Sequence, residues 1–139
     1  MTLPSIIDRR TEKTHVWLKE VAERLGTDDH RLAYRVLRAY LQALRDRLTV
    51  QEVAQLGAQL PELIRGMYYE AWHPSATPVH YRGTADFLDR IATEAELSGE
   101  TGASEAVNAV AAVLRQHISA GEIEDVRAQL PENLQPILG

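Results

Sequence analysis

The 139-residue chain contains no cysteine, and this absence excludes a disulfide framework, a thiolate zinc site and a cysteine nucleophile. It also has no stretch that approaches the roughly 18 apolar residues of a membrane-spanning helix. Residues 1–10 lack both the basic start and the apolar run of a signal peptide. We therefore expect a cytoplasmic protein that is not inserted in a membrane.

Motifs of catalysis are missing as well. The sequence has no phosphate-binding loop, no Gly-x-Ser-x-Gly nucleophile elbow and no RNA-binding signature of aromatic and basic residues. Its net charge of −5 makes it a poor binder of nucleic acid. The sequence favours a protein that is not an enzyme, uses no cofactor and does not bind nucleic acid.

What the sequence does contain is an internal repeat. Residues 17–69 align without a gap on residues 87–139, with identical residues at 12 of the 53 paired positions. The longest identical segment is Ala-Gln-Leu-Pro-Glu, at residues 58–62 and again at residues 128–132. A repeat of this kind indicates the structural unit from which the fold is built.

Each unit is predicted to hold four helices, because its apolar residues recur at helical spacing. In the first unit, one helix begins near Thr14, the next covers about residues 29–48, and the last opens at Pro61, which suits a first helical turn. The third helix starts with a capping box at residues 49–52, copied at residues 119–122. In a capping box the hydroxyl accepts from the third helical amide and the glutamate reaches back to the amide of the cap residue. The two glutamates are therefore assigned a structural role.

We predict an all-α fold of about eight helices, in which two tandem four-helix units pack together as one bundle-like domain. A unit of 53 residues alone would be only marginally stable, so each unit needs the apolar face of the other. The predicted organisation is residues 1–13 as an N-terminal extension, 14–69 as the first repeat, 70–86 as an aromatic and proline-containing linker, and 87–139 as the second repeat.

The order of these motifs matches that of a known family. The segment Phe-Leu-Asp-Arg-Ile-Ala occupies residues 87–92, Leu-Thr-x-x-Glu occupies residues 48–52 after a long alanine- and leucine-rich helix, and Ala-Gln-Leu-Pro closes each unit. Together with the linker sequence Tyr-Tyr-Glu-Ala-Trp-His-Pro at residues 68–74, this combination resembles the bacterial family called domain of unknown function 2267. The resemblance covers about residues 14–138. It implies a bacterial, duplicated helical protein, and it implies no activity and no catalytic residues.

Large side chains with polar tips gather in and beside the linker, and they are Tyr68, Tyr69, Trp72, His73 and Tyr81. In one interpretation they cover the seam between the two units, with their polar atoms hydrogen-bonded. In the other they form an exposed surface of the kind enriched at binding hot spots. On the second interpretation Tyr69 and Trp72 are candidate partner-binding residues.

Four arginines lie along one face of the second helix, opposite its leucines, and they are Arg31, Arg35, Arg38 and Arg45. Residues 17–69 carry eight Lys/Arg and seven Asp/Glu, a net charge of +1, whereas residues 87–139 carry three and nine, a net charge of −6. One interpretation is a solvated face with local ion pairs. The other is a docking surface for an acidic protein partner, including the acidic unit of a second copy.

Two Glu-x-x-His motifs, Glu12 with His15 and Glu70 with His73, are the candidate metal ligands. Ferritin-like proteins hold di-metal centres with two such motifs in the middle of a bundle. Here the first motif precedes the first apolar helix, and His73 adjoins Pro74, where a helix is ending.

The leading hypothesis is therefore a non-enzymatic helical interaction module that binds an unknown protein partner or a second copy of itself. The alternative is a helical protein that binds a metal or a small ligand.

Overall fold

The structure, a computed structural model, describes residues 4–98 and 100–139. Within these ranges it is helical and has no strand, which confirms the predicted all-α class. Among the described residues the α-helices are α1 Ser5–Leu25, α2 His30–Arg47, α3 Val50–Gln59, α4 Glu62–Tyr69, α5 Thr84–Glu94, α6 Glu100–His117 and α7 Ala120–Gln129. Two 3-10 helices, Pro74–Ala76 and Glu132–Leu138, follow α4 and α7. No helix in these ranges is long and apolar enough to cross a membrane.

The helix bounds follow the spacing of the sequence repeat. Both ends of α2 and α6 differ by 70 positions, as do both ends of α3 and α7. The last helix of each unit differs in type, because α4 is an α-helix and its counterpart Glu132–Leu138 is a 3-10 helix. Pro136 lies inside that segment, and a proline has no amide hydrogen to donate to an α-helical ladder.

The first helix is longer than predicted, since α1 begins at Ser5 and not near Thr14. Residues 5–13, predicted as an extension, are continuous with α1, whereas the equivalent α5 starts only at Thr84. Pro4 precedes the helix and Asp8 lies in its first turn, both of which favour a helix start. These first turns carry no buried side chain, so hydrophobic periodicity gives no signal for them.

The core lies between the two units, and α2 runs through it. This helix packs against α1, α4, α5 and α6, and the side chains that it buries completely include Leu37, Leu41 and Leu44. The hydroxyl of Tyr40 donates to the carbonyl oxygen of Ile137 at 2.7 Å. The ring of Tyr40 also meets that of Phe87 edge-on, with centroids 5.6 Å apart. Residues of both units therefore contribute to one continuous core.

The third helix of each unit is capped by the predicted hydroxyl. The backbone amide of Glu52 donates to Thr49 Oγ1 at 3.3 Å, and the amide of Glu122 donates to Ser119 Oγ at 3.2 Å. A hydroxyl at this position satisfies one of the amides that a helix start leaves free. This half of each predicted capping box is confirmed.

The prediction that each glutamate accepts from the amide of its own cap residue is wrong. A glutamine from the opposite unit accepts from that amide instead. The amide of Thr49 donates to Gln129 Oε1 at 3.2 Å, and the amide of Ser119 donates to Gln59 Oε1 at 2.9 Å. Each of these glutamines is the last residue of a third helix. The end of α3 thus caps the start of α7, and the end of α7 caps the start of α3.

Candidate functional site

The hydroxyl groups of Tyr68 and Tyr81 are hydrogen-bonded inside the fold. The hydroxyl of Tyr68 is buried and donates to the carbonyl of Val53 at 2.8 Å. The hydroxyl of Tyr81 donates to the carbonyl of Ala43 at 3.0 Å and accepts from Arg90 at 2.8 Å. Tyr81 contacts both units, as the seam interpretation expects, whereas the hydroxyl of Tyr68 contacts Val53 of its own unit. Burial raises the pKa of both phenols above the ordinary value of 10.0.

The two linker residues predicted to bind a partner are half-buried. The rings of Tyr69 and Trp72 lie against the core with their centroids 5.6 Å apart. His73, which follows them, is exposed. Partner binding through Tyr69 and Trp72 stays a prediction.

The four arginines do not form one open surface. Arg45 is 3% exposed, and its guanidinium donates to the carbonyls of Tyr68 at 2.8 Å and Glu70 at 2.9 Å, where α4 ends. Arg35 donates to a carbonyl after α5, and Arg38 pairs with Glu70 at 3.2 Å. Arg31 is exposed. The linker returns over part of this face of α2, which a helical projection of the sequence does not show. Partner binding through the arginines stays a prediction.

The candidate metal ligands are spread over the surface. Glu12 and His15 are exposed on α1, Glu70 ends α4 beside Arg38, and His73 is exposed. None of these four belongs to a group of three carboxylate or imidazole ligands among the described residues. Metal binding by these motifs stays a prediction.

The structure assembles a different acidic group, the paired-glutamate site of Glu52, Glu122 and Asp125. One carboxylate oxygen from each residue lies within 4.8 Å of the others. Glu52 is 2% exposed and Glu122 is 6% exposed, whereas Asp125 is exposed to solvent. The Oε2 atoms of both glutamates are buried and accept no hydrogen bond from any described residue. Gln129 Nε2 donates to Glu52 Oε1 at 3.4 Å.

The electrostatics of this site follow from burial and proximity. Burial, together with the adjoining Glu52 carboxyl group, raises the pKa of Glu122 to about 7. The nearby Asp125 carboxylate acts in the same direction. Two adjoining carboxyl groups cannot both be ionised at low cost, so the pair retains a proton close to neutral pH.

A second site is the α1 groove, an opening of about 840 Å³ between α1 and the corner that joins α3 to α4. Its cationic lining comes from Arg9, Arg10, Lys13 and Arg65, and its apolar lining comes from Ile6, Val16, Trp17 and Leu60. Arg10 forms an ion pair with Glu62 from one wall to the other. The groove exists because α1 continues beyond its counterpart α5.

The inner end of the α1 groove is held in place by well-defined contacts. Trp17 is 3% exposed and stacks on His117 with ring centroids 4.9 Å apart. His117 Nε2 lies 2.6 Å from a carboxylate oxygen of Glu20. Arg65 donates to the carbonyls of Gly57 at 2.7 Å and Leu60 at 2.9 Å, which fixes the corner containing the repeated Ala-Gln-Leu-Pro-Glu segment.

Sequence reasoning missed both sites for identifiable reasons. The groove depends on the first turns of α1, which have no buried face. The glutamates fit a capping box, and only the positions of Gln59 and Gln129 show that the cap amides are already occupied. A usable signal was present in the repeat, since a glutamate and a glutamine occur at matching positions in both units.

Comparison with known proteins gives one family. The sequence model described as uncharacterized conserved protein (DUF2267) matches residues 14–137. No curated protein matches the chain. The family match includes the paired-glutamate site, whereas residues 5–13 of the α1 groove lie outside it.

Proposed function

Since this chain belongs to the DUF2267 family of uncharacterized conserved proteins, whose description assigns no activity, we propose a function from its surface. We infer that it is a non-enzymatic helical binding module, and that its α1 groove holds an acidic, amphipathic segment of a partner protein. The observation that carries this proposal is the combination of exposed cations and exposed aliphatic side chains along residues 6–16 of α1.

The cations of the groove account for the acidic character of the partner. Arg9 and Lys13 are exposed, and neither forms an ion pair with any residue in the part of the chain that the structure describes. They lie four positions apart on α1, so both point along the same side of the helix. Carboxylates of a bound segment would complement them, which gives orientation and a faster encounter.

The aliphatic side chains account for the apolar character of the partner. Ile6 is 50% exposed and Val16 is 47% exposed, although both line a concave surface. Covering the exposed half of each side chain stabilises a complex by roughly 1 kcal/mol per residue. Exposed aliphatic residues rimmed by charge are typical of interaction surfaces.

The size of the groove indicates a segment and not a whole domain. Residues 5–13 of α1 form a wall about 13 Å long, at about 1.5 Å of rise per residue. A short amphipathic helix or extended segment with a few acidic and apolar side chains fits this wall.

A displayed library of random peptides, selected on the immobilised chain, tests this proposal. We expect the selected peptides to combine Asp or Glu with Leu, Ile or Phe. The Arg9→Glu/Lys13→Glu variant should bind them roughly tenfold more weakly or worse, because two attractive contacts become repulsive. The matched control is Lys19→Glu/Arg24→Glu, which makes the same charge change at exposed positions of α1 outside the groove.

Two results would overturn the proposal. One is selection of no peptide, or of peptides that bind the groove variant as tightly as the wild type. The other is sedimentation at low salt showing a dimer that only the groove variant abolishes. That result would assign the groove to the acidic unit of a second copy, because residues 87–139 carry a net charge of −6.

A further inference from the structure

The paired-glutamate site differs from an ordinary surface cluster of acidic residues in one respect. Such clusters keep their carboxylate oxygens in water, whereas Glu52 Oε2 and Glu122 Oε2 are buried and accept no hydrogen bond from any described residue. A buried polar atom without a partner is strongly disfavoured in an apolar medium, so native proteins rarely contain one. Two such oxygen atoms in one place indicate that either a cation or a proton shared by the two carboxyl groups lies between them.

The donor set indicates the chemistry of that occupant. All three potential ligands are carboxylate oxygens, with no sulfur or nitrogen among them. Oxygen-only sites suit hard cations such as Mg²⁺, Mn²⁺ and Ca²⁺. Ligands on opposite sides of such a cation are about 4–5 Å apart, given metal–oxygen distances of about 2.0–2.6 Å. The oxygens here lie within 4.8 Å of one another, so little movement would close them around an ion.

We propose that Glu52, Glu122 and Asp125 bind one hard divalent cation between α3 and α7. The two buried glutamates supply one ligand from each unit. Asp125 lies three positions after Glu122 on α7, so both project from the same side of that helix. Because Asp125 is exposed, it leaves an entry path for the ion and room for water molecules to complete the coordination.

A cation at this position would join the two units of the fold. Glu52 belongs to α3 and Glu122 to α7, and these two helices already cap each other through Gln59 and Gln129. The ion neutralises two buried carboxylates that otherwise repel each other. Since the site forms only when α3 and α7 are packed together, the cation stabilises the folded chain by mass action.

Mn²⁺ is the probe that tests this proposal, because free Mn²⁺ is counted directly by electron paramagnetic resonance. The full chain, freed of metal with a chelator that is then removed, is titrated with Mn²⁺ near pH 8. We expect one bound Mn²⁺ per chain and a higher melting temperature. Mg²⁺ and Ca²⁺ should compete for the same site.

Two variants and one control distinguish the site from non-specific binding. Glu122→Gln and Asp125→Asn should each weaken Mn²⁺ binding by roughly tenfold or more, and should lose the rise in melting temperature. Asp125 is exposed, so Asp125→Asn tests the site without disturbing the core. Glu105→Gln makes the same charge change at an exposed position of α6 and should leave binding unchanged.

The proposal fails if millimolar Mn²⁺ does not bind, or if it binds the two site variants as tightly as the wild type. The first result would assign the buried oxygens to a proton shared by Glu52 and Glu122. The second would assign the bound Mn²⁺ to surface carboxylates elsewhere. Neither result bears on the α1 groove, whose residues are not part of this site.

Discussion

Replacing Glu122 with glutamine should stabilise the metal-free chain near neutral pH, although this residue occupies a conventional helix-capping position. Burial and the adjoining Glu52 raise the pKa of Glu122 from 4.5 to about 7. In the unfolded chain the carboxyl group returns to its ordinary pKa, so between these two values the folded state binds more protons than the unfolded state. The free energy of unfolding contributed by this group therefore falls as pH rises from about 4.5 to about 7.

The magnitude follows from the same difference in pKa. At about 1.4 kcal/mol per pKa unit, the rise in the pKa of Glu122 from 4.5 to about 7 corresponds to roughly 3 kcal/mol of unfolding free energy. Solvent reaches the site through the exposed Asp125 and screens the repulsion, so we expect roughly 2 kcal/mol. Glu122→Gln removes the charge, and its amide can donate to the Glu52 carboxylate. This variant should be more stable than the wild type by that amount near pH 8 and nearly equal to it near pH 5.

Urea unfolding with chelator present, at several values between about pH 5 and pH 8, measures this difference. The control is Glu105→Gln, an exposed glutamate on α6, which should change stability by less than about 0.5 kcal/mol at every pH. A Glu122→Gln chain that is less stable than the wild type near pH 8 would refute the reasoning. A difference from the wild type that does not change with pH would refute it as well.

Two further substitutions test the contacts that hold the units and the linker in place. Tyr40→Phe removes the buried hydrogen bond to Ile137 between the units and should lower the free energy of unfolding in urea by about 1–1.5 kcal/mol. Arg45→Met leaves the buried carbonyl of Tyr68 without its donor, and leaves the carbonyl of Glu70 with only a 3.4 Å bond from Gln42. It should cost about 2–3 kcal/mol and lower the melting temperature measured by circular dichroism by several degrees. An unchanged melting temperature would contradict the role assigned to Arg45.

Much of the fold could be predicted because it depends on local signals. The bounds of α2, α3 and α7 follow from apolar periodicity, from the cap residues Thr49 and Ser119, and from the repeat spacing. The early start of α1 could not be predicted in this way. Its first turns project beyond the core, and a helix that buries nothing leaves no periodic pattern in the sequence.

The candidate sites could not be predicted because they depend on contacts between distant residues. Whether Glu52 reaches back to its cap amide is decided by Gln129, which lies 77 positions away in the chain. Similarly, Arg45 looks like part of a charged face in a helical projection, but the linker returns over it and buries it. Charge patterns along one helix therefore indicate where a surface could be, and tertiary packing decides whether it is open.

The measurement that tests the central claim most directly is a nuclear magnetic resonance titration of the isotope-labelled chain with the tightest peptide from the displayed library. If the α1 groove is the binding site, amide shift changes should be concentrated in residues 5–17 of α1 and residues 57–65 around the α3–α4 corner. The same titration of Arg9→Glu/Lys13→Glu should show almost no change. Shift changes centred on another face, or unaltered by this charge reversal, would contradict the proposal that the α1 groove is the binding site.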